Sequence, residues 1–149
     1  MKLILHNRNR EGILVKYIVP VFNFLVMNHT EIQNIIAQAG IGYNGYLSPT
    51  EGDCGSIAVA IQDVFGGGFV GVTEEPNGNV PCHVAVEIDN KVYHGNGQSS
   101  LESFVNYFII EEHRVEDISR HYWSGDSVPY YMVDDEKVQM AKNELEQYI

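Results

Sequence analysis

Positive charge, cysteine and long apolar segments are all scarce in this sequence. Nine Lys and Arg stand against twenty Asp and Glu, a net charge of −11. A surface tracking nucleic-acid phosphates would have to form against that field, so nucleic acid is not an expected partner. Two cysteines, Cys54 and Cys82, are too few for a disulfide scaffold and fit a reducing compartment. The apolar run from Tyr17 to Met27 is broken by Pro20 and Asn23 and falls short of the roughly 20 residues that a membrane span requires. Because it follows Lys2, Arg8, Arg10 and Lys16, it loosely imitates a secretory leader. The only small-residue cleavage pattern, Ala37-Gln38-Ala39, lies far downstream behind Asn28, His29, Thr30 and Glu31, so the expected location is cytoplasmic and no membrane partner is expected. The absence of repeats, heptads and low-complexity tracts excludes fibrous and disordered classes.

What is present fits one soluble domain: 149 residues, 44% hydrophobic and 19% charged, are enough to bury a core. The expected division is a loosely held arm over 1–16 and a single domain over 17–149. Thr30-Glu31 followed by Ile32, Ile35, Ile36 and Ala39, closed by Gly40, predicts a short amphipathic helix. A loop rich in turn formers runs from Gly42 to Asp53 and ends at Cys54. Ile57, Ile61, Val64 and Phe65 then share one helical face until Gly66-Gly67-Gly68 stops it, which puts Cys54 at a helix N-terminus.

Phe69 to Thr73 predicts a short strand. Val84, Val86 and Ile88 alternate with His83, Ala85 and Glu87, and Asp89-Asn90 offers a two-residue turn into Lys91-Val92-Tyr93-His94. Gly95-Asn96-Gly97 is read as the hairpin's end. Ser99 or Ser100 can cap a helix carrying Leu101, Phe104, Val105 and Phe108, and Val115 to Trp123 suits further helical turns. Asp134 or Asp135 can cap a terminal helix with a Val138, Ala141, Leu145 stripe, expected to cross the outer side of the sheet.

A cysteine in the first turn of a helix meets unpaired backbone N–H groups and the positive dipole end, both of which favour thiolate. Gly55 leaves room beside the sulfur, and the Cys54 N–H can hold an oxyanion. A thiol nucleophile needs a general base, and histidine suits that role near neutral pH. His83 opens the hairpin. With Asp89-Asn90 as the turn, residue 88 pairs with 91, 85 with 94 and 83 with 96, so His94 lies diagonally from His83 on one face and Asn96 lies directly across. Either could orient the imidazole. Cys82 would point to the opposite face and is assigned to the core. A zinc site from Cys54, Cys82, His83 and His94 lacks Cys-x-x-Cys or His-x-x-x-His spacing. His6, His29, His113 and His121 are read as surface or satisfied core residues.

The order of a cysteine at a helix start, then strands, then a histidine opening a strand with a polar partner across a hairpin resembles the papain-like cysteine hydrolases. Closest are the NlpC-type amidases and endopeptidases. Their signature appears here as Tyr43-Asn44-Gly45-Tyr46-Leu47-Ser48-Pro49-Thr50-Glu51-Gly52-Asp53-Cys54, and His94 follows His83 by 11 residues. Gly55-Ser56 after the cysteine, where the NlpC type has Ser-Gly, is nearer the papain order. The likeness covers residues 40–98.

The resemblance implies an α+β, papain-like fold, with the nucleophile helix packed on an antiparallel sheet and further helices at the C-terminal end. It implies Cys54 as nucleophile, His83 as base and acid, His94 as orienting residue, and Tyr43 as an oxyanion or substrate donor. Asp53, Gly55 and Asn96 complete the expected surroundings. No metal or cofactor is expected. Expected substrates are amides: peptide or isopeptide bonds, peptidoglycan-like cell-wall amides, or glutamine side chains. The rival readings are a noncatalytic protein-binding module on the same fold and a zinc-binding structural protein.

Overall fold

A computed structural model describes residues 2–8, 14–20, 27–41, 47, 52–95, 97–100, 103–104 and 118–149. The fold is α+β. Strands β1 (Lys2–Arg8) and β2 (Leu14–Pro20) pair antiparallel as a separate two-stranded sheet, in which residues 2–5 of the expected arm pair with residues 17–20 of the apolar run and residues 6–8 with residues 14–16 of the arm itself. Helix α1 (His29–Ala39) and helix α2 (Cys54–Phe65) follow. A five-stranded antiparallel sheet then forms from β3 (Gly68–Val72), β4 (His83–Ile88), β5 (Lys91–His94), β6 (Gly97–Ser99) and β7 (Tyr122–Gly125), in the order β6-β5-β4-β3-β7. Short 3₁₀ turns at Ile118–His121 and Tyr130–Met132 flank β7, and α3 (Asp135–Glu146) closes the chain. Among the described residues, no helix is long and apolar enough to cross a membrane.

Helix α1 buries the predicted Ile32, Ile35, Ile36 and Ala39, but its cap is Asn28 rather than Thr30. The Asn28 side chain accepts from the Glu31 N–H while the Glu31 carboxylate accepts from the Asn28 N–H, a reciprocal pair that Thr30 is placed too late to make. Gly40 ends the helix with a left-handed φ of 60°.

The β4–β5 hairpin has the expected register: Ile88 faces Lys91, Glu87 faces Val92 and Val86 faces Tyr93. Asp89 and Asn90 both take positive φ, 47° and 65°, as a type I′ turn demands. Three expectations differ. Gly97–Ser99 returns as β6 alongside β5 instead of ending the sheet, and Tyr122–Gly125 forms an edge strand on β3 instead of continuing a helix. Helix α3, capped by Asp134 as anticipated, packs on α2 and α1 rather than across the sheet. Its Ala141 and Leu145 therefore fill the helical side of the core.

Alternation gives the sheet two buried faces. Phe69, Val84, Val86 and Tyr93 join Ile57, Ile61 and the other α2 residues in the main core. Val70, Val72, Ala85 and Val92 are buried on the opposite face, along with His83. Tyr93 also shares a hydrogen bond of 2.5 Å with His29, tying α1 to the sheet.

The Cys54-Gly55-Ser56 triplet is explained locally by packing. A Cβ on Gly55 would lie 2.1 Å from the Met132 carbonyl oxygen and 2.7 Å from the Met132 Cβ. The missing side chain thus admits the Tyr130–Met132 turn, rather than leaving open space beside the sulfur as expected. Ser56, fully buried, accepts from the Asp134 N–H at 2.9 Å and so fastens α2 to the cap of α3. Gly55→Ala should cost about 1–3 kcal/mol by overpacking against backbone that cannot move aside alone. Thermal melting should show this as a drop of several degrees, at about 2–4 °C per kcal/mol. An unchanged melting temperature would mean the Met132 turn is not held there.

Candidate active site

Cys54 occupies the first position of α2 and is 6% exposed. The backbone N–H groups of Val84, Gly55 and Cys54 itself address its sulfur. Val84 is the second residue of β4, so the thiol meets that strand one peptide beyond His83. The helix-tip donors expected from sequence are present, together with a third from the sheet that only the tertiary fold supplies.

Their effect on the thiol is outweighed. Burial pushes the Cys54 pKa up, the three N–H groups pull it down, and the neighbouring Asp53 carboxylate adds a smaller upward push. The balance is a raised pKa, contrary to the thiolate expected from the helix tip alone. Desolvation of the charged sulfur wins because the site lies within the core.

His83 is 5% exposed, and the two histidines sit beside the same buried ring. The Phe104 side chain, 1% exposed, stacks on His83 with centroids 6.0 Å apart and lies tilted against His94 at 5.8 Å. Burial lowers the His83 pKa to about 4, with repulsion from His94 contributing, and burial lowers that of His94 to about 4 as well. Both rings are therefore neutral at pH 7. Extending the observed register sets His94 opposite Ala85, on the His83 face. That face is the one carrying Val70 and Val72, whereas the apolar stripe of α2 lies on the other.

Thus the structure brings His83 together with His94, and Cys54 together with the backbone at the start of β4. Asp53 stands at the N-cap position without capping; its carboxylate instead accepts from Lys137 Nζ at 2.6 Å. Gly55 is occupied by the Met132 contact. Tyr43 and Asn96 lie outside the described residues. Phe104 was legible only as one apolar position in a predicted helix; its place over both histidines depends on a crossing that no local signal encodes.

Cys82 departs from its expected place in the core and is exposed. Its N–H and its thiol both reach the Val72 carbonyl, at 2.9 and 3.2 Å, while His83 is also paired with Val72. Two residues therefore oppose one, as in a β-bulge, and regular alternation starts only at His83. His121 is a satisfied core residue, its Nδ1 2.9 Å from the Thr73 carbonyl. Among the described residues, no three His, Cys, Asp or Glu side chains converge as a metal site.

No protein-family model, curated protein or solved structure matches the chain.

Proposed function

We propose that the protein is a cysteine hydrolase of papain-like type that cleaves an amide bond, with Cys54 as nucleophile, His83 as base and acid, and His94 as the orienting residue. The observation supporting this reading most is the meeting of a helix-tip thiol, ringed by three backbone N–H groups, with the end of the strand that carries His83. Its resting state is a neutral thiol and a neutral imidazole, so the proton moves as the carbon–sulfur bond forms. His83 itself faces away from the apolar stripe of α2, so this reading requires its ring to approach the sulfur past the end of β4.

In that reaction the Cys54 sulfur bonds to the amide carbon while its proton passes to His83. The resulting oxyanion is held by the Cys54 N–H. Collapse breaks the carbon–nitrogen bond, and the imidazolium proton goes to the leaving amine. Water then adds to the thioester and gives a proton to His83. Loss of the carboxylic acid returns that proton to the sulfur.

One observation favours a second reading, a noncatalytic binding module: the thiol is buried with a raised pKa, as in a packing cysteine. Intact-mass analysis separates the two. In a Cys82→Ser background, which removes the exposed competitor, iodoacetamide at pH 7 should modify the protein more slowly than a free thiol. A peptidyl electrophile with a reactive carbonyl should nevertheless add once, at Cys54. Failure of every such probe to label Cys54 would favour the binding module, and labelling that survives Cys54→Ala would remove Cys54 from the mechanism.

A further inference from the structure

A surface cavity of about 370 Å³ is lined by Thr73, Glu74, Glu75, Val80, Cys82 and Tyr131, among others. Its position follows from the chain. Cys82 is bonded to His83, and Tyr131 precedes Met132, whose backbone lies over Gly55 at the start of α2. The cavity thus opens beside both the nucleophile helix and the strand of the base. Its size is at the lower end for small-molecule sites and suits one long side chain.

The walls are of two kinds. Val80, 65% exposed, and Tyr131, 58% exposed, offer apolar and aromatic surface to solvent. Glu74 and Glu75 are exposed acids, and the Glu74 carboxylate is close enough to Cys82 to raise its thiol pKa after burial has done so. Among the described residues, no basic side chain lines the cavity. Lysine and arginine match such a lining: an alkyl stem lies along apolar surface, and a cation faces carboxylates or an aromatic ring.

We infer that this cavity is a substrate subsite that takes a lysine or arginine side chain next to the scissile amide, read by Glu74 and Glu75 against the Val80 and Tyr131 wall. The inference rests on the hydrolase reading for its scissile bond, and on the cavity alone for its charge preference. The net charge of −11 favours encounter with cationic peptides in general.

The test uses two peptidyl electrophiles that differ only in lysine or the neutral isostere norleucine beside the reactive carbonyl, with Cys54 labelling followed by intact mass in the Cys82→Ser protein. The lysine probe should label about tenfold faster at low salt, a difference equal to about 1.4 kcal/mol. The advantage should shrink toward parity near 1 M salt, where charges are screened within about 3 Å. Glu74→Gln/Glu75→Gln should abolish the preference, bringing the lysine probe down to the rate of the norleucine probe. Equal rates for the two probes, or a preference that survives the double variant, would overturn the subsite.

Fluorescence anisotropy of a labelled lysine peptide on the Cys54→Ala protein separates this inference from the hydrolase reading. Binding that the double glutamine variant loses, together with no labelling of Cys54 by either probe, supports the cation pocket and rejects the hydrolase. Labelling of Cys54 without any lysine preference does the reverse.

Discussion

Acidification from pH 7.5 to 4.5 should destabilise the protein steeply, well before its carboxylates are mostly protonated. The cause is the buried histidine pair. His83 and His94 have folded-state pKa values lowered to about 4, whereas an unfolded histidine titrates near 6.5. Between those limits the unfolded chain binds protons that the folded chain refuses, so stability rises with pH through this window. It is fully present above about pH 6.5 and is lost progressively as pH falls toward 4. A shift of this size corresponds to on the order of 3 kcal/mol for His83. The two contributions are not additive, because part of the His83 shift comes from His94.

Against a typical total stability of about 5–15 kcal/mol, the loss is large. Urea denaturation at pH 7.5, 6.0 and 4.5 measures it as a falling midpoint. The double variant His83→Gln/His94→Gln should show a much flatter dependence over the same range. A parent midpoint that stays constant from pH 7.5 to 4.5 would mean that the histidines are protonated as readily in the fold as in water.

Removal of the proposed base, His83, should produce the largest functional effect after removal of the thiol itself. Cys54→Ala should abolish labelling by a peptidyl electrophile. His83→Ala should slow it by roughly 10²–10⁴-fold, the range general-base catalysis supplies. His94→Ala, which leaves the base in place but removes its neighbour, should have a smaller effect and should raise the His83 pKa, since repulsion from His94 is one of the causes lowering it. Histidine NMR titration reads that shift directly. Equal loss in His83→Ala and His94→Ala, with no change in the His83 titration, would mean that the two rings do not act in the proposed order.

Local signals explain why some of this was readable beforehand. Asp89-Asn90 tolerates positive φ at two successive positions, so the turn set the register and placed His94 on the His83 face. The apolar spacing of α2 and its glycine stop likewise located Cys54 at a helix tip. Features that depend on contact between distant segments were not readable. Cys82 left the core because the strand pairing is offset at Val72. Helix α3 turned to α2 because Ser56 and Gly55 accept the Asp134 cap and the Met132 turn there. The thiol's raised pKa escaped for a related reason: a helix-tip argument counts nearby dipoles but not the burial that opposes them.

The proposed dependence of Cys54 on His83 is tested most directly by the pH–rate profile of peptidyl-electrophile labelling, compared in the Cys82→Ser protein with and without His83→Ala. With His83 present, the rate should fall on an acid limb near pH 4, where the imidazole becomes protonated. Without it, that limb should vanish and the residual rate should climb only above a cysteine's ordinary pKa, following the thiolate. Superimposable profiles would contradict the pairing of this thiol with this imidazole.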